Sequence, residues 1–510
     1  MKSSVASLLF FSGLSSLAAG ASIPRYFEKQ PITRRDLTSA EVRQELGDQV
    51  SSGTLIYGAD DAEFAELTSR WTDYSKPDVQ VAIEPATEAD VATIVNYCND
   101  NSIDFLALNG GHGLAYSLKS FSGLQISMWQ LDNITISDDA GSAWFGGGTK
   151  VGNVTQYLSD RGYVTTTGGC ECVGMMGAGL GGGHGRYEGL YGMISDNILE
   201  LNLVLANGTS IVVSESENSD LLWAMKGAGH NFGIVTSYKM TIWPLEDTTW
   251  HWHNYIWRGD QLETVFDALN TFHGNGTTPV NMAFEVGNFV MNTTITSDEP
   301  VLFWTFAYRG PADEAEELLV PFNAIDAEMS VSGDVPYTGI ATAQGTSWDS
   351  AICQHGQVHI TSTVGLVTYN LTAERQIFEG FKQRAQEYPE LVAASFIMHE
   401  GYATEGVDNI ASDSSAYPFR SDHHLMLFNA VSPSSDYDDL ALAWANEARD
   451  QWNAGQPGRA PHAYVNYASG LETVEEWYGE ESWRIERLTS LKTKYDPDNR
   501  FRYYNPIVAA

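Results

Sequence analysis

The chain has 510 residues, 43% of them apolar, and a formal net charge of −37 from 65 acidic and 28 basic side chains. That length supports a large core without disulfide staples. A surface this acidic repels phosphate backbones and anionic lipid, so neither nucleic acid nor a membrane surface is an expected partner.

At the N-terminus, Lys2 precedes an apolar run over residues 5–17 and then Ala19-Gly20-Ala21. A charged start, a short apolar stretch and an A-x-A site describe a secretory signal peptide over residues 1–21, and the run is too short to span a bilayer. Residues 22–76 form an N-terminal segment in which Arg34-Arg35 offers a dibasic point for release of a short propeptide. Six N-x-S/T sequons, at Asn133, Asn153, Asn207, Asn275, Asn292 and Asn370, are expected glycosylation points of a secreted chain. The four cysteines are Cys98, Cys170, Cys172 and Cys353. They permit at most two bridges, and one if a cysteine serves other chemistry.

From residue 79 the pattern becomes regular. Residues 79–83 read as a strand. Thr87-Glu88-Ala89-Asp90 then caps a helix whose Val91, Ile94, Val95 and Cys98 fall at i, i+3, i+4 and i+7. Residues 103–108 read as a strand that runs into Asn109-Gly110-Gly111-His112-Gly113. Strands at 124–128 and 143–145 and a helix at 151–158 follow. Residues 167–192 are glycine-dense. Strands at 199–206 and 210–213 meet at Asn207-Gly208, a hairpin signal, and residues 220–233 join a short helix to another glycine turn. After residue 244 glycine thins. Aromatic strands (249–257, 302–308) alternate with acidic helices (261–272, 313–322), which suggests a second domain on an antiparallel sheet. In the tail, a charged helix ends at Tyr495 before the turn Asp496-Pro497-Asp498-Asn499. The strand–helix alternation suggests an α+β or α/β architecture.

Glycine runs allow backbone N–H groups to approach a ligand without a Cβ in the way. Residues 177–182 satisfy G-x-G-x-x-G, with Glu200 about 20 residues on. No strand leads into them and no long helix follows, so a nicotinamide-binding Rossmann unit is not expected. Three glycine clusters, at 110–113, 168–185 and 227–233, instead suggest one extended anionic ligand such as a pyrophosphate-containing cofactor. His355 and His359 have metal-like spacing, but Gly356 and the β-branched neighbours suggest a turn and strand, so no metal site is expected. His423 and His424, beside Arg420, face either substrate or solvent.

The clusters resemble the PCMH-type FAD-binding domain of the vanillyl-alcohol-oxidase superfamily, and within it the berberine-bridge-enzyme-like oxidases. Gly110-Gly111-His112 matches the turn whose histidine bonds the flavin 8α-methyl in that family. Cys170-Glu171-Cys172-Val173-Gly174 matches the segment whose cysteine bonds flavin C6, with Cys172 as a rival to Cys170. The likeness continues through Gly181-Gly182-Gly183, Gly185, Tyr191-Gly192-Met193 and Asp196-Asn197, and through residues 222–236. It then resumes at residues 416–420, 464–467 and 487–499. Leu108, Asn109, Gly113 and Ala178 depart from the family pattern.

The resemblance implies a two-lobed FAD-binding domain over residues 77–247 and a substrate domain over 248–459, an antiparallel sheet flanked by helices. Residues 460–510 return to the FAD domain. It implies FAD bonded to His112 and also to Cys170. The cofactor contacts it implies are Asn109, Gly110, Gly111, Gly113, Gly169, Val173, Gly174, Gly177, Gly182, Gly185, Asp196, Ile234, Val235 and Asn466. It implies Tyr464 as catalytic base with Tyr467 as a second phenol, and associates Val173 with oxygen access. The expected function is that of a secreted oxidase. It would move a hydride from an alcohol-type carbon of a carbohydrate or secondary metabolite to FAD, with O2 reduced to H2O2. A flavin dehydrogenase with a quinone-like acceptor and a catalytically silent binding glycoprotein are the alternatives.

Overall fold

The computed structural model describes residues 37–274 and 276–509. The segment read as a signal peptide, Arg34-Arg35 and Asn275 lie outside the described residues. The chain is α+β, built on three main sheets.

The first sheet holds β1 (Leu55–Gly58), β2 (Asp78–Glu84), β3 (Phe105–Leu108) and β4 (Ser122–Ser127), in the order β1-β2-β4-β3. β4 runs parallel to both β2 and β3. The helix Glu88–Asp100 makes the crossover from β2 to β3, and its Val91, Ile94, Val95 and Cys98 are buried against Val81, Ile83, Leu124 and Ile126. Its start is the expected capping box. Thr87 Oγ1 accepts from Asp90 N at 3.3 Å, and Thr87 N donates to Asp90 Oδ2 at 2.9 Å.

Next in the chain come β5 (Ile134–Ile136), β6 (Ser142–Gly146), β7 (Tyr163–Val164), β8 (Ile198–Val204), β9 (Ser210–Ser214), β10 (Ile234–Thr241) and β11 (Trp243–Pro244). Five of them form an antiparallel sheet in the order β5-β6-β10-β8-β9, while β7 and β11 pair as a short ribbon. Gly208, at φ 77°, closes the β8–β9 hairpin in the left-handed region that glycine tolerates best. The G-x-G-x-x-G segment, residues 177–182, starts inside the five-residue helix Met175–Gly179 and runs past its end, so it opens no βαβ unit.

The third sheet contains β12 (Trp250–Trp257), β13 (Met282–Val290), β14 (Val301–Arg309), β15 (Met329–Val335), β16 (Val358–Leu366), β17 (Phe396–Tyr402) and β18 (His424–Ser432). All its pairings are antiparallel, in the order β15-β12-β14-β13-β17-β18-β16. Helices Leu262–His273, Leu371–Glu387 and Asp438–Ala454 cover one face, where Trp257, Phe266, Trp304, Phe378, Phe428 and Trp444 form the core. The opposite face carries Phe284, Val286, Tyr402 and Leu425 against Met193, Tyr417 and Tyr464. The helix expected over 313–322 is broken into Ala312–Leu318 and Val320–Asn323. Pro321 has no N–H to continue the ladder, and its ring crowds the preceding turn.

The tail is pinned to the first sheet through Asp104. Its carboxylate accepts from Arg502 at 2.9 Å, from Tyr503 Oη at 2.6 Å and from Arg500 at 3.3 Å. Removing one partner of a buried ion pair strands the other charge, a loss of roughly 3–5 kcal/mol. Asp104→Ala is therefore expected to destabilise the protein by about that amount in denaturant unfolding. A change under about 1 kcal/mol would show that the tail docks without this pin.

Candidate flavin site

Two glycine turns meet at the end of β3. A Cβ on Gly110 would stand 2.5 Å from Gly174 N, and one on Gly174 would stand 2.6 Å from Asn109 Cγ. Neither is possible, so this backbone-to-backbone approach requires glycine on both sides. A third strip, residues 147–152, is laced to the pair. Asn109 Nδ2 donates to the carbonyls of Gly147 (2.8 Å) and Thr149 (3.1 Å), Met175 N to Thr149 O (3.0 Å), and Val151 N to Val173 O (3.0 Å).

The approach sets His112 beside the second turn. His112 Nδ1 lies 3.0 Å from Gly110 O, a carbonyl that only accepts, so Nδ1 carries the proton. Nε2 is left unprotonated, 3.5 Å from Cys172 Sγ. Burial, reinforced by His355, pushes the His112 pKa down to about 3. The ring is thus a neutral imidazole with a free lone pair, the form that can bond to carbon. His355 packs edge-on against it, with centroids 5.4 Å apart.

Cys172 is joined to Cys353, 181 residues away, which ties the glycine segment to the second half of the chain. Among the described residues the free thiols are Cys98, buried under the first sheet, and Cys170. Sequence spacing left Cys170 and Cys172 as rivals, and this pairing leaves only Cys170 with a thiol. Its loop is held from both sides, since Gly169 O accepts from Thr346 Oγ1 (2.8 Å) and Arg186 Nη1 (3.1 Å). Burial, aided by the charge of Glu400, pushes the Cys170 thiol up to about 12.

Glu400 is a functional candidate that the sequence did not single out. It lies on β17 between Met398 and Tyr402, on the face turned away from the helices. Tyr467 Oη donates to Glu400 Oε2 at 3.0 Å. Burial raises the Glu400 carboxyl to about 7, opposed by that hydrogen bond. Burial and Glu400 together hold the Tyr467 phenol well above its usual range. Tyr464 is bound differently, as its Oη accepts from Asn466 Nδ2 (2.7 Å) and Gly183 N (3.1 Å). Burial raises its pKa too, helped by the charge of Glu188, and among the described residues no carboxylate is hydrogen-bonded to its oxygen. Tyr417 Oη and Glu188 are bonded to opposite nitrogens of the buried His184, at 2.8 and 3.0 Å. His184 and Glu188 were likewise not singled out, because nothing in the local pattern distinguishes them.

Several of the expected cofactor contacts also hold the protein together. Asp196 accepts from Arg420 at 2.7 and 3.0 Å and from Met193 N at 2.9 Å, which fastens the glycine segment to residues 416–420. Ile234 and Val235 begin β10 and are buried in the two neighbouring cores. Gly182 packs on the Tyr417 ring, Gly185 on the Thr167 carbonyl, Gly113 on Tyr504, and Gly111 on Ser69 and His355. His355 and His359 lie on a turn and on β16. His359 stacks on Trp71 at 3.6 Å, apart from the His112 contact that His355 makes. His424 faces the helix-covered side, and His423 lies beside Gly276.

The residues present fit FAD. Asn109 Oδ1 and Asn466 Oδ1 are buried acceptors, and His230 Nδ1 a buried ring nitrogen, without a protein partner. They border the glycine segment, where His230 Nε2 lies 2.8 Å from Gly177 O, and no atom stands within 4 Å of where a Gly177 Cβ would point. Unmet acceptors beside an open glycine turn suit the hydroxyl and imide donors of a flavin nucleotide.

Comparison with known proteins agrees. Residues 79–214 match the FAD binding domain family and residues 463–508 the berberine and berberine like family. The FAD-linked oxidoreductase iacH of Pestalotiopsis fici is 50% identical, over 98% of this chain and 97% of that protein. The fold is similar to that of berberine-bridge-enzyme-like 1 of Physcomitrella patens, with a TM-score of 0.78 and 19% identity over 92% of this chain and all of that one. It is also similar to that of the glucooligosaccharide oxidase of Acremonium strictum, described with a 6-S-cysteinyl, 8α-N1-histidyl FAD. There the TM-score is 0.76 with 17% identity, over 93% of this chain and 100% of that one. The chain belongs to the berberine-bridge-enzyme-like FAD-linked oxidoreductases, and is an FAD-dependent enzyme.

Proposed function

We propose that the chain is a secreted oxidase that carries FAD covalently on His112 and Cys170 and oxidises an alcohol-type carbon of a carbohydrate or secondary metabolite. The observation that carries the reading is the Tyr467–Glu400 pair. It stands on the sheet face turned toward the flavin side of the chain, and the Glu400 charge is felt at the Cys170 thiol. An alcohol oxidation needs a group to take the hydroxyl proton. Tyr467 with an ionised Glu400 behind it supplies one, and this moves the role of base from Tyr464 to Tyr467. Tyr464, held by two donors, orients Asn466 and the glycine turn instead.

His112 and Cys170 would hold the flavin ring, and Asn109 Oδ1 and Asn466 Oδ1 would accept hydrogen bonds from the cofactor. Bound FAD would supply the acceptor for the hydride from the alcohol carbon, with O2 as the final oxidant taking two electrons and two protons to give H2O2. Tyr467 Oη removes the hydroxyl proton as its own proton passes to Glu400 Oε2. Phe284, Tyr402, Tyr417 and Phe419 are buried together on this face and would give the substrate side an aromatic lining. Such a lining suits the apolar face of a sugar or a ring-bearing metabolite, and it excludes water.

Secretion rests on the signal-like N-terminus and the sequons. Asn133, Asn153 and Asn207 are exposed and open to glycans. Asn370 is a helix N-cap whose side chain accepts from Thr372 N and Ala373 N, so modification there competes with the cap. Among the described residues, no helix is long and apolar enough to cross a membrane.

Three outcomes are expected. Glu400 accepts a proton only when ionised, so kcat/KM should fall as pH drops through about 7. Glu400→Gln should remove that limb and lower kcat by about 10²-fold or more; a profile flat between about pH 5.5 and 8.5 would exclude the pair as the base. For the linkage, acid-precipitated His112→Ala should keep its flavin through Cys170, and the variant also carrying Cys170→Ala should release it. An unaltered flavin spectrum in Cys170→Ala alone would rule out the second bond. Finally, anaerobically reduced enzyme mixed with O2 should reoxidise within seconds and Val173→Leu should be slower, whereas wild-type reoxidation over minutes would point to a dehydrogenase.

A further inference from the structure

On the helix-covered face of the third sheet, three positions stand side by side across neighbouring strands. Glu285 of β13 is opposite Gly401 of β17, and Gly401 is opposite His424 of β18. The middle position has no side chain. A Cβ there would collide with Glu285 Oε1 and stand 2.9 Å from His273 Cε1, so the neighbours close over the glycine. His273, the last residue of the helix Leu262–His273, completes the group from above.

The geometry is that of a ligand set. His273 Nε2 lies 3.1 Å from Glu285 Oε1, the His273 and His424 rings meet edge-on at 4.5 Å, and one donor atom from each of the three residues lies within 4.8 Å of the others. All three residues are 2% exposed or less. Bonds of about 2.0–2.1 Å to a tetrahedral Zn2+ place ligand atoms about 3.3 Å apart, close to the His273–Glu285 distance, with the third donor drawn in from within 4.8 Å. The outer partners are also present. Thr278 Oγ1 is 2.7 Å from His273 Nδ1, and Trp304 Nε1 donates to the other oxygen of Glu285. Such contacts fix ring orientation and carboxylate rotation in metal centres.

One feature has no explanation in the protein alone. His424 is buried, yet neither ring nitrogen has a hydrogen-bond partner. Buried polar groups are almost always partnered, so an orphaned imidazole beside a buried carboxylate marks a missing ligand. We propose that His273, Glu285 and His424 bind one divalent transition-metal ion of the Zn2+ class over Gly401. The ion takes a lone pair of His424 and offsets the Glu285 charge. It lies on the face of β17 opposite Glu400, so its role is to brace the strand that carries the acid–base pair.

A second group on the same face, His251, His253 and Glu316, serves as a control. There every ring nitrogen is already bonded, His251 to Asp334 and Glu316, and His253 to Glu316 and Ser330. Untagged full-length holoenzyme, dialysed into metal-free buffer, should retain about one Zn2+ per chain by elemental analysis. Glu285→Gln and His424→Ala should lose most of it, and His253→Ala should not. If His424→Ala does not fold, His424→Gln replaces it, and a folded chain with its metal lost gives the same support. Metal-free wild type that also takes up no added Zn2+ would assign the site to a buried water and overturn the proposal. Metal retained by Glu285→Gln and the His424 variant, or lost with His253→Ala alone, would overturn it equally.

Discussion

The contact on which the site depends is the one between two backbones. Gly110 and Gly174 meet with no room for a Cβ on either side. Because they meet, the end of β3, the strip at residues 147–152 and the segment from Cys170 become one hydrogen-bonded unit. His112 is delivered to the edge of that unit with one nitrogen committed to Gly110 O and the other free. A methyl group at either glycine would separate the turns and move the imidazole from the cysteine segment.

The disulfide divides the labour between two cysteines that are two residues apart. Cys172 anchors the glycine segment to Cys353, leaving Cys170 with a free thiol that feels the charge of Glu400. The third sheet divides chemistry in the same way, by strand alternation. Along β17, Met398, Glu400 and Tyr402 point away from the helices, while Ile397, His399 and Gly401 point to them. One strand thereby serves the acid–base pair on one face and a buried His–Glu cluster on the other. The pairing Tyr467–Glu400 also explains why two tyrosines in one short motif differ. One faces a carboxylate that can take its proton, and the other faces only donors.

Local sequence determined much of this protein. The helix Glu88–Asp100 was legible because its capping box and apolar spacing are local, and Asn207-Gly208 because a tight hairpin needs a left-handed residue. The glycine turns, and the resemblance they carry, gave the cofactor and family. Tertiary structure decided the rest. A disulfide joins residues 181 apart, so no local pattern could choose between Cys170 and Cys172. Glu400 is one of 65 acidic residues, and only sheet register and burial set it apart. Asp196, Ile234 and Val235 fit the family motif, and only the fold shows that Asp196 also fastens Arg420 and that the other two fill cores. Periodicity, caps and turns depend on residues a few positions apart and can be read along the chain, whereas proton acceptors, disulfide partners and ligand sets depend on which distant strands pair.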